Sequence, residues 1–344
     1  MTFDIAAFIR TNRTILIWVG FFLVLFLVRK LIGLVFLTFV MCFITQSVLN
    51  ILPLALRRHR RRFVVLIYLF FLILIGVFLF VLMPRLAGEA SGFTEQLPRS
   101  IRVIESWVQD WAEQYPVVLP VIDQIRDTLT PERLIMEGLT WGRALVQKGV
   151  QYISWFFLAF MFSFLIMLDL PRLARGTAAL SKTKIGPIYD ELSGSIVRFG
   201  RVVGKSFRAQ IVVSAISTVL TGIGLTILGV EGKILLLSVL FLGGLIPFLG
   251  AIISFIPTFL MAVNSGGIMT GFWVTLLLIG TSLLETYVLN PRIVSSVMHI
   301  NPIVTLIILY IGYLLIGLWG MLLGVPVAVF LYRQITVGGR IDSN

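Results

Sequence analysis

The sequence predicts an all-α integral membrane protein with about eight transmembrane helices, and three observations support this fold class. Of the 344 residues, 58% are hydrophobic and only 13% are charged, whereas soluble domains carry about 25% charged residues. Apolar runs recur along the chain at roughly the 20 residues that a membrane crossing needs. Glycine and proline interrupt the runs of the C-terminal third, which predicts broken or re-entrant helices surrounded by protein or lining a cavity.

The candidate spans are apolar runs separated by charged or helix-breaking residues. The first is short and resembles a signal peptide, but Arg29 and Lys30 follow it without a small-residue cleavage pattern, so we expect it to be retained. The predicted spans are residues 14–28, 31–56, 63–83, 151–169, 208–230, 234–262, 267–290 and 302–332.

The distribution of basic residues predicts the orientation, because cytoplasmic loops are enriched in lysine and arginine. Residues 57–62 hold five arginines, and residues 171–208 hold eight basic side chains against two acidic ones. Residues 84–150 carry seven basic and nine acidic side chains and are expected outside. Both termini are then cytoplasmic. The net charge of +12 therefore indicates basic cytoplasmic loops rather than nucleic-acid binding.

The segment between the third and fourth spans is predicted to be amphipathic. Residues 100–115 place apolar side chains at helical spacing between charges. Thr130, Pro131 and Glu132 indicate a helix N-terminus. These helices are expected either to lie on the outer membrane face or to pack as a small cap over the spans. The predicted regions are three N-terminal spans (1–83), the extracytoplasmic amphipathic segment (84–150), the fourth span (151–170), a basic cytoplasmic segment (171–207), a C-terminal transmembrane transport core (208–332) and a cytoplasmic tail (333–344).

Glu285 is the only charged residue between positions 272 and 290. A charged side chain at the bilayer centre costs roughly 2.5–3.5 kcal/mol on insertion scales, so such a residue usually faces a protein interior or a watery path. Glu285 is therefore a candidate for binding a proton, a cation or a polar solute. The alternative is that it lies near the end of its span and extends to the headgroups.

Further candidates are polar groups and helix breakers within the transport core. Gln210 lies just inside the fifth span, and Arg292 shares a face with Glu285 if the helix continues through Pro291. The breakers form either a substrate site or close helix contacts such as Gly320 with Gly324. Residues 302–332 are either one long span or a broken pair. The candidate pathway residues are Gln210, Pro247, Gly250, Pro257, Glu285, Asn290, Pro291, Arg292, Gly317, Gly320 and Gly324.

The sequence offers no pattern for enzymatic chemistry, a metal site or a cofactor. Neither His59 nor His299 has a metal-ligand partner at helical spacing, and no HExxH, phosphate-binding loop or GxSxG pattern occurs. Cys42 is the only cysteine, which excludes an intrachain disulfide. We therefore expect no enzymatic activity, no metal and no cofactor.

Three motifs of the C-terminal third resemble the autoinducer-2 exporter family of PerM-like permeases. They are an acidic residue before a proline turn (Glu285, Asn290, Pro291), P-x-x-G-x₆-P (Pro247, Gly250, Pro257) and a glycine-rich ending (Gly317, Gly320, Gly324, Pro326). The order of spans is also similar across nearly the whole chain. One departure is Ala209 before Gln210, where the family often has glycine.

The resemblance implies a multipass, homo-oligomeric transporter of the bacterial inner membrane. Some members of the family are linked to export of autoinducer-2, and others to sodium(lithium)/proton antiport. The leading expectation is ion-coupled or facilitative export of a small polar solute, with lipid as the surrounding partner. The alternatives are a monovalent cation/proton antiporter and a non-transporting membrane scaffold.

Overall fold

The computed structural model describes residues 27–53, 59–114, 131–184, 186–247, 249–294 and 301–336. Within these residues the regular secondary structure is helical and contains no strand, which confirms the all-α fold class. The helices are α1 (Ile32–Ile51), α2 (Arg60–Val77), α3 (Met83–Gln114), α4 (Pro131–Ala179), α5 (Gly186–Ile227), α6 (Lys233–Gly243), α7 (Leu249–Leu284), α8 (Pro302–Ile316) and α9 (Leu318–Thr336). Short 3-10 helices cover Arg29–Leu31 and Leu180–Lys182, and π-helices cover Phe78–Leu82 and Glu285–Val294.

Five helical stretches of the described chain are long and apolar enough to cross a membrane. They are Arg29–Ile51, Arg60–Gln114, Ile153–Lys182, Gly186–Ile227 and Leu249–Asn290. Shorter apolar helices cover Lys233–Gly243, Ile303–Ile316 and Leu318–Tyr332. The chain is thus a multipass membrane protein, and most of its first predicted span, 14–28, lies outside the described residues.

Several predicted boundaries differ from the helix ends. The predicted limits at residues 83 and 150 are changes in side-chain character within continuous helices, because Arg60–Gln114 and Pro131–Ala179 run through them. The described part of α4 begins at Pro131, and Thr130 of the predicted N-terminus lies outside the described residues. The predicted span 302–332 is a pair of helices separated at Gly317, where φ is +68° and only glycine is free of strain.

The chain divides into two compact units. The first comprises the described parts of Met1–Phe70, Tyr152–Phe207 and Ile300–Asn344. In its core, Phe36 packs edge-on against Phe207 with ring centroids 5.3 Å apart. These rings fill the space between helices, so burial of aromatic and aliphatic side chains is what holds α1 in place.

The α8 and α9 helices of the first unit form a hairpin with touching backbones. The side chain of Asn301 caps α8 by accepting a hydrogen bond from the Ile303 amide at 2.9 Å. The backbones of Gly312 and Gly320 meet so closely that a Cβ on Gly312 would lie 2.7 Å from the Gly320 carbonyl carbon. A Cβ on Gly324 would lie 3.2 Å from the Ile308 oxygen. The glycines therefore permit a close helix pair.

The second unit comprises the described parts of Phe71–Gln151 and Arg208–His299. Its core is a cluster of buried aliphatic side chains from α5, α6 and α7, including Leu225, Leu236 and Val274. Phe93 of the amphipathic α3 packs against this cluster. The α3 helix thus packs against the core of the second unit through Phe93.

The α7 helix folds back on itself at Gly266 and Gly267, where φ of Gly267 is +75°. A Cβ on Gly271 would lie 3.0 Å from the Phe259 ring, although twelve residues of straight helix would span about 18 Å. The two halves, 249–265 and 268–284, therefore form a helical hairpin. This is why the predicted break between spans 234–262 and 267–290 coincides with a turn.

Glu89 of α3 fixes the start of α6, and its removal is expected to destabilise the second unit. Its Oε2 accepts a hydrogen bond from the Leu235 amide at 2.7 Å, one of the amides that a helix N-terminus leaves without a partner. We expect Glu89→Ala to lower the free energy of unfolding by about 1–3 kcal/mol. Glu95→Ala on the same helix, at an exposed position, is the matched control. Thermal unfolding in detergent is the measurement, and equal midpoints for the two variants would contradict the capping role.

Candidate functional site

Glu285 makes a polar contact across two helices of the second unit. The hydroxyl of Ser217 on α5 donates a hydrogen bond to its Oε2 at 3.1 Å. Ser217 is buried, and the side chain of Glu285 is partly buried. Among the described residues, Glu285 has no ion pair within 4.0 Å. The negative charge of this carboxylate is therefore not neutralised by a basic side chain, so the carboxylate can bind a proton or a cation.

The position of Ser217 along α5 indicates the depth of this contact. Ser217 lies nine residues after Arg208 and ten before Ile227, where α5 ends. At 1.5 Å per residue, about 13 to 15 Å of helix extends on either side, which matches half of a bilayer core of about 30 Å. Although Glu285 is near the end of its own apolar stretch, its partner is in the middle of the apolar part of α5 that follows Arg208. The contact therefore argues against a carboxylate that simply extends to the headgroups.

Glu285 begins the π-helix that also contains Asn290, Pro291 and Arg292. Proline has no amide hydrogen and cannot continue the usual hydrogen-bond ladder, and a π-helix is wider than an α-helix. The wider turns change the rotation between Glu285 and Arg292, so the shared face that a continuous α-helix would give them is lost. Arg292 is accordingly exposed, Asn290 is partly buried, and the described structure contains no Glu285–Arg292 ion pair.

Gln210 of α5 forms a hydrogen bond to the backbone at the point where α6 ends. Its Nε2 donates to the Gly244 carbonyl at 2.6 Å, and Ser214 Oγ, one turn further along α5, donates to the Phe241 carbonyl at 2.7 Å. These bonds satisfy carbonyls that the end of α6 leaves without helical donors. Gly250 is required at the same place, because a Cβ on it would lie 2.6 Å from the Gly244 nitrogen.

The remaining candidates fall into two groups. Pro247 lies in the turn between α6 and α7, and Pro257 lies inside the first half of α7. Gly317, Gly320 and Gly324 belong to the first unit, where they shape the α8–α9 hairpin. For Gly320 and Gly324 the close-packing alternative describes the backbone contacts, whereas Gly317 permits the turn through its φ of +68° and has nothing within 4 Å of its Cβ position.

A row of buried hydroxyls on α5 was not singled out by sequence reasoning. Ser214, Ser217 and Thr221 are each at most 5% exposed and follow Gln210 at intervals of four, three and four residues. This spacing places them on one face of the helix. Within the described chain the Thr221 hydroxyl has no hydrogen-bond partner. The helical spacing of small polar residues within an apolar run was the signal that could have identified them.

The described residues contain no group of three or more histidine, cysteine, aspartate or glutamate side chains that could hold a metal ion. At the candidate site, the polar side chains that meet are the Glu285 carboxylate and the Ser217 hydroxyl, while Ser214 and Gln210 bond to backbone carbonyls at the end of α6. Oxygen ligands of this kind suit hard cations and protons and form hydrogen bonds with polar solutes.

Residues 15–338 match the family described as AI-2E family transporter. The chain belongs to that family. The resemblance inferred from the motifs at 247–257, 285–291 and 317–326 is thereby confirmed. The family is one of membrane transporters, which favours transport over a scaffold.

Two relatives of known name extend this comparison. One, from Bacillus subtilis (strain 168), is named "Putative transport protein YdbI" and is 26% identical over 332 residues, covering 93% of this chain and 90% of the relative. The other, from Halobacillus andaensis, is named "Sodium-lithium/proton antiporter" and is 26% identical over 305 residues, covering 84% of each chain. Both alignments extend over most of the family fold.

The hydrogen bond from Gln210 to the end of α6 is expected to stabilise the second unit. Replacing Gln210 with methionine keeps the side-chain length but removes the donor, so the Gly244 carbonyl loses its partner. We expect the free energy of unfolding to fall by about 1–3 kcal/mol. Ser282→Ala, at a partly buried serine of α7, is a control for small polar losses elsewhere in the unit. Unchanged thermal unfolding of Gln210→Met in detergent would show that the carbonyl does not depend on this bond.

Proposed function

We propose that this AI-2E family member exchanges a monovalent cation for protons, with Glu285 taking up each in turn. The single observation that supports this function is the contact between the Glu285 carboxylate and the Ser217 hydroxyl at bilayer depth. A membrane-embedded carboxylate is costly while it is charged. Either a proton or a cation lowers that cost, and one carboxylate holds only one of them at a time.

The ligand chemistry favours sodium or lithium as the exchanged ion. Carboxylate and hydroxyl oxygens are hard ligands, and Ser214, Ser217 and Thr221 place three hydroxyls along one face of α5. The relative from Halobacillus andaensis carries the name of a sodium-lithium/proton antiporter. Exchange requires that the site open to one side of the membrane at a time. The helix breaks at 244–247 and 266–267, together with the π-helix of 285–294, supply backbone that can rearrange.

A second candidate is the export of a small polar solute such as autoinducer-2. The observation that favours it is the unpartnered Thr221 hydroxyl one helical turn from Ser217, because buried hydroxyls usually bind a partner. A hydroxylated solute could bridge Thr221, Ser217 and Glu285. In this case the proton on Glu285 would drive export rather than be exchanged for a cation.

We propose in addition that the protein is a homo-oligomer of the bacterial inner membrane with both termini in the cytoplasm. The arginines of residues 57–62 and the basic segment 171–207 support this orientation. The segment 84–150 would then face the opposite side. Neither function needs a cofactor or an enzymatic step.

Transport by the purified protein in sealed proteoliposomes tests the two functions. With an imposed proton gradient and an internal pH dye, we expect sodium or lithium to dissipate the gradient in vesicles that contain the protein but not in protein-free vesicles. In parallel, vesicles loaded with autoinducer-2 are assayed for its release. Cation-dependent dissipation without autoinducer-2 release supports exchange, release without cation dependence supports the second candidate, and the absence of both would reject transport through this site.

A further inference from the structure

A basic cavity lies in the first unit, at the start of α2 and beside the latter part of α4. It measures about 410 Å³. Among the described residues, five arginines and a single carboxylate line it, which gives a strongly positive surface. These residues are Arg60, Arg61, Arg62, Arg172, Arg175 and Asp169.

The single carboxylate engages only part of this charge. Arg61 Nη2 donates to Asp169 Oδ1 at 3.0 Å, and Arg172 lies 3.9 Å from the same oxygen. Arg60 donates through Nη2 to Gln46 at 2.9 Å, but its buried Nε has no acceptor among the described residues. A buried guanidinium donor without an acceptor is uncommon. Arg62 and Arg175 are exposed and make no ion pair with Asp169. The cavity therefore offers guanidinium donors for an anion with several oxygens, and phosphate matches the fork geometry of arginine.

An apolar groove of about 560 Å³ adjoins the basic cavity and shares Arg61, Arg62 and Leu168 with it. The rest of its lining is Val65 and Leu66, which are 45% and 55% exposed. These residues occupy the first turns of a membrane-spanning stretch, so their exposed faces meet lipid chains. A basic cavity joined to an apolar groove fits a ligand with a phosphate and a hydrocarbon chain.

The position of the basic cavity and the apolar groove matches the headgroup level of the membrane. Arg60 begins the stretch Arg60–Gln114, and Asp169 is the first charged residue after the apolar residues 153–168 of the stretch Ile153–Lys182. The ion pair between Arg61 and Asp169 places the start of α2 beside the end of the apolar run of α4. Basic pockets between transmembrane helices on the cytoplasmic side are suited to acidic headgroups.

We propose that the basic cavity binds the phosphate of an anionic phospholipid whose acyl chain lies in the groove along Val65 and Leu66. The lipid phosphate would accept hydrogen bonds from Arg60 and its neighbours. This site belongs to the first unit and is independent of the proposed role of Glu285.

Native mass spectrometry of the full-length protein in a neutral detergent tests this proposal. The titrated probes are phosphatidylglycerol, phosphatidylcholine and inorganic phosphate. We expect phosphatidylglycerol to bind more tightly than phosphatidylcholine and not to be displaced by millimolar phosphate. Each arginine removed is expected to weaken phosphatidylglycerol binding about fivefold, and Arg60→Gln with Arg61→Gln about 30-fold. Arg201→Gln, at an exposed arginine outside the cavity, is the matched control.

Leu66→Trp separates the lipid from a free anion, because it fills the groove without changing the charge. We expect it to weaken phosphatidylglycerol binding and leave phosphate unaffected. Leu66→Trp also tests the proposal if the double arginine variant does not fold. The proposal is overturned if phosphatidylcholine binds equally well, if phosphate displaces the lipid, or if the arginine or Leu66 variants bind phosphatidylglycerol like the wild type.

Discussion

Replacing Glu285 with glutamine is expected to abolish cation–proton exchange while the protein stays folded. Glutamine keeps the size of the side chain and an oxygen that can accept the Ser217 hydrogen bond. It can neither release a proton nor balance a cation. Since the proposed cycle needs both steps, we expect sodium-dependent dissipation of a proton gradient in proteoliposomes to fall at least about 100-fold, the loss typical when an essential ionisable group is removed.

Two further variants sharpen this experiment. Ser217→Ala removes the hydrogen bond to the carboxylate, and a bond to a charged group is worth about 1.5–3 kcal/mol, so we expect the apparent sodium affinity to fall by at least about tenfold while the maximal rate is less affected. Glu231→Gln neutralises an exposed carboxylate of the same unit and should leave transport unchanged. Exchange at the wild-type rate in correctly folded Glu285→Gln would eliminate Glu285 as the coupling group.

Adding one methyl group at Gly312 is expected to separate α8 from α9. The new Cβ would lie 2.7 Å from the Gly320 carbonyl carbon. A backbone atom cannot move aside as a flexible side chain can, so the helices must shift and lose their close packing. Overpacking of this kind costs about 1–3 kcal/mol and occasionally more. We expect Gly312→Ala, and likewise Gly320→Ala, to lower the thermal unfolding midpoint in detergent and the yield of monodisperse protein.

Gly76→Ala provides a control with the opposite expected sign. Gly76 is also helical, but nothing lies within 4 Å of the position that its Cβ would occupy. Alanine favours helix over glycine by about 1 kcal/mol, so this variant should be neutral or slightly stabilising. If Gly312→Ala proved as stable as Gly76→Ala, the α8–α9 hairpin could not have the backbone contact described above.

The sequence was sufficient to predict the class of protein and the most distinctive residue of the candidate site. Low charge and long apolar runs require lipid as the solvent, and helices satisfy backbone hydrogen bonds within a bilayer. A single carboxylate in a 19-residue apolar stretch identified Glu285. Helix breaks were expected in the C-terminal third, and among the described residues they occur at 244–247, 266–267 and 317.

The partners of these residues could not be predicted, because contacts between helices depend on packing rather than on spacing along one helix. The sequence did not indicate that Ser217, 68 positions away, would meet Glu285. Nor did it indicate that Gln210 would bond to the end of α6. The sequence left open whether Arg292 shares the face of Glu285, because Pro291 could interrupt the helix, and only the structure shows the π-helix of 285–294 that separates them.

By itself, then, the sequence determined that this chain is an all-helical membrane protein with a single carboxylate in the apolar run 272–290, since composition and run length fix the solvent and the local structure. Only the tertiary structure decided which glycines pack helices and which permit turns. Gly312 and Gly320 are needed because the backbone of the other helix lies where a Cβ would be. Gly317 is needed because its φ is +68°. A glycine's role depends on what lies where its Cβ would be, and that neighbour is set by the fold.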